Sequence, residues 1–296
     1  MRSAVALTLQ TDKLTPRTAD NLIVEFLSYV HRATPGEDLR VDLRALHFID
    51  PYGLLALCLL ARYGRTIAQR VVLHLPVSYA LRTYLGRVRF AEAMDGVDLI
   101  GPTLLINQER EKTESEALLE ITRIEERVDV EAVLGKIGQR VETILAEELR
   151  YTEVEISQFK NVVAELCHNI LDHSENWGYL TAQRYTDPRS GRKYVVIGVG
   201  DLGIGIKKSL SVRYESAEWS HGQAIVNSLK KHFSRDTSRG LGLYIVNQIC
   251  NRYNGSLHIR SGDTRVYIRG QRHWEHVSTH FPGTQIAIAL YQRDRV

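Results

Sequence analysis

The sequence predicts an α/β protein built in two parts. Two observations carry the class. Strand-like and helix-like patterns alternate through the first hundred residues, and the last 160 or so carry apolar strands beside amphipathic helices with glycine-rich junctions. A third observation divides the chain: NQEREKTESEALLEITRIEERVD is dense in charge and holds no Pro or Gly. The expected organisation is a first domain over 1–102, a charged helical linker over 103–134 and a second domain over 135–296. The length of 296 residues suits two domains at roughly 100–200 residues each.

In the first domain, Ala4 to Leu9 is rich in β-formers. Leu22, Ile23, Phe26, Leu27 and Val30 fall at helical spacing and predict a helix over Thr18 to Val30. Leu39 to Ile49 alternates, with Val41, Leu43 and Leu46 separated by Asp42 and Arg44. Asp50-Pro51-Tyr52-Gly53 reads as a turn because Pro and Gly both punctuate. An apolar helix follows from Leu54 to about Tyr63, then a strand from Val71 to Leu75, then an amphipathic helix from Ser78 to Met94. Strands alternating with helices make a layered α/β fold. The charged stretch has apolar spacing too irregular for sustained heptads, so a linker helix is expected there.

Composition excludes several classes. Hydrophobic residues at 44% and charged residues at 25% fit a globular chain rather than a disordered one. The net charge of +3 gives no strong field for nucleic acid or a membrane surface. The longest apolar run, Leu54 to Ala61, is far below the roughly 20 residues of a bilayer span. The N-terminus does not read as a signal peptide. Three scattered cysteines, Cys58, Cys167 and Cys250, fit reduced thiols and a cytoplasmic location.

Four segments carry chemistry. In the first, Phe159, Val162, Val163, Leu166 and Ile170 form the buried stripe of a helix. Glu165 and Asn169 lie four apart on one face of it. Asp172 and His173 extend that face. A carboxylate beside a carboxamide suits a base next to a hard cation, because an amide oxygen is a good Mg²⁺ ligand. In the second, the strand Tyr194 to Val199 runs into Gly200-Asp201-Leu202-Gly203-Ile204-Gly205. Asp201 at the strand's end can accept a hydrogen bond from an exocyclic amine, and Gly203 and Gly205 let backbone approach a planar ring. In the third, Ser238-Arg239-Gly240-Leu241-Gly242-Leu243 opens an apolar helix whose N-terminal N–H groups favour anions. The upstream Lys230, Lys231, His232 and Arg235 add positive charge. In the fourth, Gly283-Thr284 precedes the alternating strand Gln285 to Leu290, and Thr284 can bring a hydroxyl to the same pocket. Each segment alone also occurs on ordinary helix faces and surface turns.

Together and in this order, Glu165–Asn169, Asp201-x-Gly203-x-Gly205, Gly240-x-Gly242-Leu243 and Gly283-Thr284 resemble the ATP-binding domain of the gyrase, chaperone, histidine-kinase and MutL (GHKL) superfamily. SRGLGLYIVNQIC, NGSLHIRSG and PGTQIAIAL look like its histidine-kinase and anti-sigma-factor branch. The resemblance covers about 135–296. It implies a mixed sheet covered by helices on one face, with ATP held between helices and a lid over Ile206 to Thr237. Asn169 would bind Mg²⁺, Asp201 would read adenine, Gly240 and Gly242 would wrap the phosphates, and Thr284 would assist Asp201. Glu165 stands where the superfamily places its general base. Ser238 departs from the glycine of many kinases.

The first domain resembles the STAS domain of anti-sigma-factor antagonists, on VDLRALHFIDPYGLLALCLLARYG and VVLHLPVSYALRTYLGRVRFAEAMDG. Pro51 and Tyr52 replace the two serines of that family's central motif, so serine phosphorylation at that place is excluded. The segment after Gly53 keeps a helix N-terminus able to meet an anion or a partner.

His273, His276 and His280 in HWEHVSTH would share a helix face, at a spacing that matches no standard zinc motif. Between Gly101 and Glu165 there is no histidine, which argues against an autophosphorylating histidine kinase. The leading expectation is a regulator that binds Mg·ATP. It would act as a protein Ser/Thr kinase of the anti-sigma-factor type or as a slow ATPase switch. Its partner would be a STAS-containing or sigma-factor-like protein or a second copy. A non-catalytic, ATP-gated interaction protein is the rival. A dimeric clamp ATPase is the third reading, disfavoured because no transducer domain follows Val296.

Overall fold

The computed structural model describes residues 4–30, 37–68, 70–105, 117–137, 142–173, 177–231, 233 and 242–293. The first part holds a four-stranded parallel sheet of β1 (Ala4–Thr8), β3 (Asp38–Asp42), β5 (Arg70–His74) and β6 (Asp98–Ile100), in the order β1-β3-β5-β6. A minimal parallel pair joins β2 (Lys13–Leu14) to β4 (Phe48–Ile49). Helices α1 (Pro16–Val30) and α2 (Pro51–Gly64) pack with them.

Two sequence expectations shift here. The Asp50–Gly53 segment is the first turn of α2. The Asp50 side chain accepts the Gly53 N–H at 2.8 Å and Pro51 opens the helix, a place where its missing N–H costs nothing. The single helix expected over Ser78–Met94 is two, α3 (Tyr79–Arg87) and α4 (Phe90–Ala93). Arg89, at φ 58°, turns the chain between them.

The second part is a five-stranded sheet in the order β10-β11-β9-β8-β7, formed by β7 (Ala117–Ile124), β8 (Gly178–Thr186), β9 (Lys193–Asp201), β10 (Ser256–Arg269) and β11 (Arg272–Tyr291). All four pairings are antiparallel, so the expected mixed sheet is corrected to an antiparallel one. The charged linker helix is corrected as well. Residues 117–124 are the edge strand β7, and α5 (Arg127–Lys136) packs Val130 and Val133 into the same core. Charge density hid the strand because its apolar residues are split between two cores: Leu119 and Ile124 are buried under α5 and α7, while Ile121 packs against the core of the first part. Glu126 and Asp129 form a capping box that starts α5.

The short α6 (Glu142–Glu147) adds Leu145 to this core, and helices α7 (Glu153–His173), α8 (Gly205–Ser211), α9 (His221–Ser228) and α10 (Gly242–Arg252) cover one face of the sheet. The expectation of helices on that face alone is incomplete, because α1 and α2 of the first part cover the other. Alternation along β9 explains how. Val195, Ile197 and Val199 join the core under α7, whereas Gly198 and Gly200 face α2. A Cβ on Gly198 would sit 2.6 Å from the Pro51 carbonyl oxygen, and one on Gly200 would be 3.1 Å from Leu55 Cδ2. The backbone at the start of α2 therefore rests directly on β9. Gly198→Val is expected to destabilise the protein by about 1–3 kcal/mol or more, since the clash is with backbone and cannot relax by rotamer change. Urea unfolding of the full chain checks it.

A buried charge cluster seals the same interface. Asp20 of α1 meets Arg260 Nη1 at 3.4 Å, Arg265 Nη1 at 3.0 Å and His258 Nε2 at 3.2 Å, all from β10. Tyr52 donates its hydroxyl to the same carboxylate at 3.1 Å. Asp20, Tyr52 and Arg260 are each 0% exposed. Among the described residues, no helix is long and apolar enough to cross a membrane.

Candidate functional site

Helix α7 starts with a reciprocal cap. The Thr152 N–H donates to Glu155 Oε2 at 2.7 Å, and Thr152 Oγ1 accepts the Glu155 N–H at 3.4 Å. Its stripe of Phe159, Val162, Val163, Leu166 and Ile170 is buried against the sheet as the spacing predicts. This fixes the helix's rotation and leaves Glu165 and Asn169, one turn apart, half-buried at the edge of the stripe.

β9 ends at Asp201, only 7% exposed. Burial pushes its carboxyl up to about 6, against the pull of N–H groups from Gly203 and Thr284 and of the Arg62 guanidinium. The Gly203 N–H reaches Asp201 Oδ1 at 2.6 Å. Thr284 arrives beside it through strand register: Gln285 pairs with Gly200 in β9, and Ser261 of β10 pairs with Thr284. Ser261 Oγ donates to the Gly283 carbonyl at 3.1 Å, lies 3.4 Å from Thr284 Oγ1 and accepts the Ile206 N–H at 2.9 Å. Gly283 needs its glycine, with φ +79° and a hypothetical Cβ 2.1 Å from the Asp201 carbonyl oxygen.

One cavity of about 100 Å³ is lined by Glu165 and Asn169 of α7, Asp201 of β9, Gly205 of α8, Gly242 and Leu243 of α10, and Thr284 of β11. Segments far apart in the chain thus share one wall. Leu166, Ile170, Val199, Leu210 and Ile286 make the remaining surface largely apolar, a slot suited to a flat heteroaromatic ring. At the other end, Gly242 lies against the Glu165 side chain; a Cβ there would be 2.6 Å from Glu165 Oε1.

Not every expected residue is in that wall. Asp172 is exposed, one turn past the cavity, and does not line it. Gly203 contributes its N–H to Asp201 rather than surface to the cavity. Arg239, Gly240, Leu241 and the His173 side chain lie outside the described residues, as do His232, Arg235 and Ser238. HWEHVSTH is part of strand β11 rather than a helix, which puts the neighbouring His273 and His276 on opposite faces, and a register irregularity separates both from His280. His280 instead meets His221 edge-on, with ring centroids 5.8 Å apart. No cluster of three metal-ligating side chains occurs among the described residues.

Sequence reasoning missed Ser209, Ser228 and Phe233, which close the cavity. Phe233 stacks on Tyr214 at 4.5 Å and 9°, with Trp219 beyond. Its only sequence signal was an aromatic inside the basic run Lys230 to Arg235, where charge drew attention away.

Residues 155–286 match the family model of the histidine kinase-, DNA gyrase B- and HSP90-like ATPases. The match begins on α7 and ends on β11, so it spans every segment that lines the cavity. Domains of this GHKL kind bind ATP, typically with Mg²⁺, and support a regulatory ATPase or kinase-like role. The strand β7 and helix α5 lie outside the matched residues yet complete the same sheet and core. No curated protein matches the chain.

Proposed function

We propose that the GHKL-type half binds Mg·ATP and uses Glu165 as a general base, either to phosphorylate a protein Ser/Thr hydroxyl or to activate water in slow hydrolysis. The observation that carries this reading is the convergence of Glu165, Asn169, Asp201, Gly242 and Thr284 on one cavity with apolar walls. The residues suit the ligand chemically. A desolvated carboxylate at Asp201 can accept from an adenine amine, and the Asn169 amide oxygen is a hard donor for a phosphate-bound Mg²⁺. Bound there, Mg²⁺ would supply charge neutralisation for the phosphates. Asp201 and Thr284 orient the base, Leu166, Ile170, Val199 and Ile286 exclude water from the ring, and Glu165 holds the position from which a hydroxyl proton can be taken.

The cavity of about 100 Å³ is below the roughly 300–1,000 Å³ of small-molecule pockets. That volume suits the ring end of a nucleotide, and in this reading the N-terminal end of α10, which lies against Glu165, shifts as the phosphates bind. The first half is read as a STAS-like module whose α2 start, with Pro51 and Tyr52 in place of two serines, is spent on docking to its own ATPase sheet. A Ser/Thr-bearing protein, STAS-like or sigma-factor-like, is the proposed partner. The second reading, an ATP-gated interaction protein without turnover, is favoured by the same contact between Gly242 and Glu165, because an opening of α10 could expose a partner surface by itself.

Calorimetry with Mg·ATP tests the site. Asn169→Ala is expected to weaken binding at least tenfold. Glu165→Gln is expected to keep binding and lose about 10²–10⁴-fold in turnover, the size of a general-base contribution. Equal affinity for wild type and Asn169→Ala counts against the site, and absence of turnover in the wild type selects the gated reading.

A further inference from the structure

A second cavity, of about 330 Å³, lies on the sheet face opposite the nucleotide cavity, where the two halves meet. Its floor is Cys58 and Ala61 of α2 and the Tyr179 ring of β8. Its walls are cationic. Arg62 and Arg123 stack on the Trp177 indole, their guanidinium carbons 3.5 Å and 3.7 Å from the ring centroid, while Arg65, Arg89 and Lys136 complete the rim. Three carboxylates also line it, and two of them are engaged locally, Glu92 with Arg89 and Glu120 with Lys136. The third, Asp95, faces the cavity beside Arg65, whose Nη1 donates to the Asp95 backbone oxygen at 2.9 Å.

Arg123 is also paired at the rim with Glu125, at 2.7 Å, so five cations face four carboxylates and the cavity keeps an excess of one positive charge. The indole stabilises the stacked guanidiniums through their faces. It does not neutralise them, and it leaves N–H edges, the part of Arg that grips oxyanions in a two-pronged way. Arg62 spends one edge donor on the Trp177 carbonyl oxygen at 2.6 Å. Burial holds its guanidinium below the usual range, and the neighbouring Arg123 adds repulsion. Two like charges brought together on one aromatic ring, around a space with a partly apolar floor, are the donor set of an anion site.

We infer that this seam cavity binds a small phosphate-bearing anion, of pyrophosphate to sugar-phosphate size, through Arg62, Arg123 and Arg65. The volume lies at the lower end of small-molecule pockets of roughly 300–1,000 Å³ and sets that size. The site draws residues from both halves, so an occupant would bridge them.

The test is a titration of the full chain with pyrophosphate, without Mg²⁺ and at fixed ionic strength, followed by calorimetry and by tryptophan fluorescence. Saturable binding is expected, with a fluorescence change that disappears in Trp177→Phe. Affinity should fall at least tenfold in Arg62→Met and in Arg123→Gln, and stay unchanged in Asn169→Ala. Because Arg62 also bonds the Trp177 backbone, the more exposed Arg123 supplies the milder variant, and an unchanged urea midpoint for Arg123→Gln separates a lost ligand from a disturbed fold. Absence of binding at millimolar pyrophosphate overturns the inference. So does equal affinity in wild type and Arg123→Gln, or a loss confined to Asn169→Ala, which would place the anion in the nucleotide cavity.

Discussion

Asp20→Ala is expected to cost about 3–5 kcal/mol of stability, the size found when one partner of a buried ion pair is removed. The loss comes less from the missing attraction than from what remains. Arg260 is fully buried, and it also donates to the Thr279 carbonyl oxygen at 2.5 Å. Without Asp20 its charge has no carboxylate within hydrogen-bond reach among the described residues, and Tyr52 loses the acceptor for its hydroxyl. Burial alone pushes the Asp20 carboxyl up, yet His258, Arg260 and Arg265 together hold it below the ordinary range. A lowered folded-state pKa means that the cluster stabilises fully above the unfolded value of about 3.8 and is lost as the pH falls below it. Urea unfolding at pH 7 and pH 3 should therefore show a large gap between wild type and Asp20→Ala at pH 7 that narrows in acid. The double variant Asp20→Leu with Arg260→Met is expected to regain most of the loss, since apolar packing often matches a buried pair. An Asp20→Ala protein as stable as wild type at pH 7 would mean that the interface does not depend on this cluster.

That cluster marks the boundary of what the sequence discloses. The pattern of α1 was legible because Leu22, Ile23, Phe26 and Leu27 repeat with the helix period, and all four are buried. Asp20 sits inside the same pattern as an ordinary polar position. Nothing local shows that it faces Arg260, 240 residues onward. The cavity residues Glu165, Asn169, Asp201 and Thr284 were legible for a different reason: each stands next to glycines or on a helix face whose residue types have a chemical use, and their order is informative even though their proximity is not.

Local reading failed where tertiary packing overruled composition. β7 looks like a charged helix because the edge strand buries few of its side chains. HWEHVSTH looks helical by its histidine spacing, yet it extends β11 through a pairing with Arg265 to Arg269 that only the hairpin supplies. Gly200 stands in a glycine-rich strand end that looks made for a ligand. Gly200 does line the cavity, yet a Cβ there would meet the β11 backbone at the Thr284 carbonyl oxygen, 2.7 Å away, and Gly198 is needed on the reverse side, where the start of α2 lies too close for any side chain. The Arg62–Trp177–Arg123 stack joins three segments with no motif among them.

Asp201→Asn separates the cost of the proposed site from its use. The substitution keeps shape and an oxygen that can accept the Gly203 N–H, but it replaces a carboxylate with an amide whose NH₂ opposes an exocyclic amine. Mg·ATP affinity is expected to fall by about 10²-fold, since an unmatched buried polar contact costs roughly 1–3 kcal/mol and more where charge is involved. Stability should move the other way. With a folded-state value of about 6 against 3.8, Asp201 is held ionised above pH 6 at a cost on the order of 3 kcal/mol. A raised folded value means that the penalty is absent below about pH 4, develops as the pH climbs through 6, and is complete above. The neutral amide carries no such penalty, so the variant should unfold at the same urea concentration as wild type at pH 4 and at a higher one at pH 8. Wild-type nucleotide affinity, which requires the ionised carboxylate, should weaken as the pH drops through 6, while any residual affinity of the variant stays flat. A group that makes the empty fold less stable at the pH where it accepts a ligand is what a binding function, rather than packing, would keep in place. A variant that bound Mg·ATP as wild type does, or a wild-type affinity indifferent to pH between 5 and 8, would remove Asp201 from the site and leave its burial to be explained by the sheet alone.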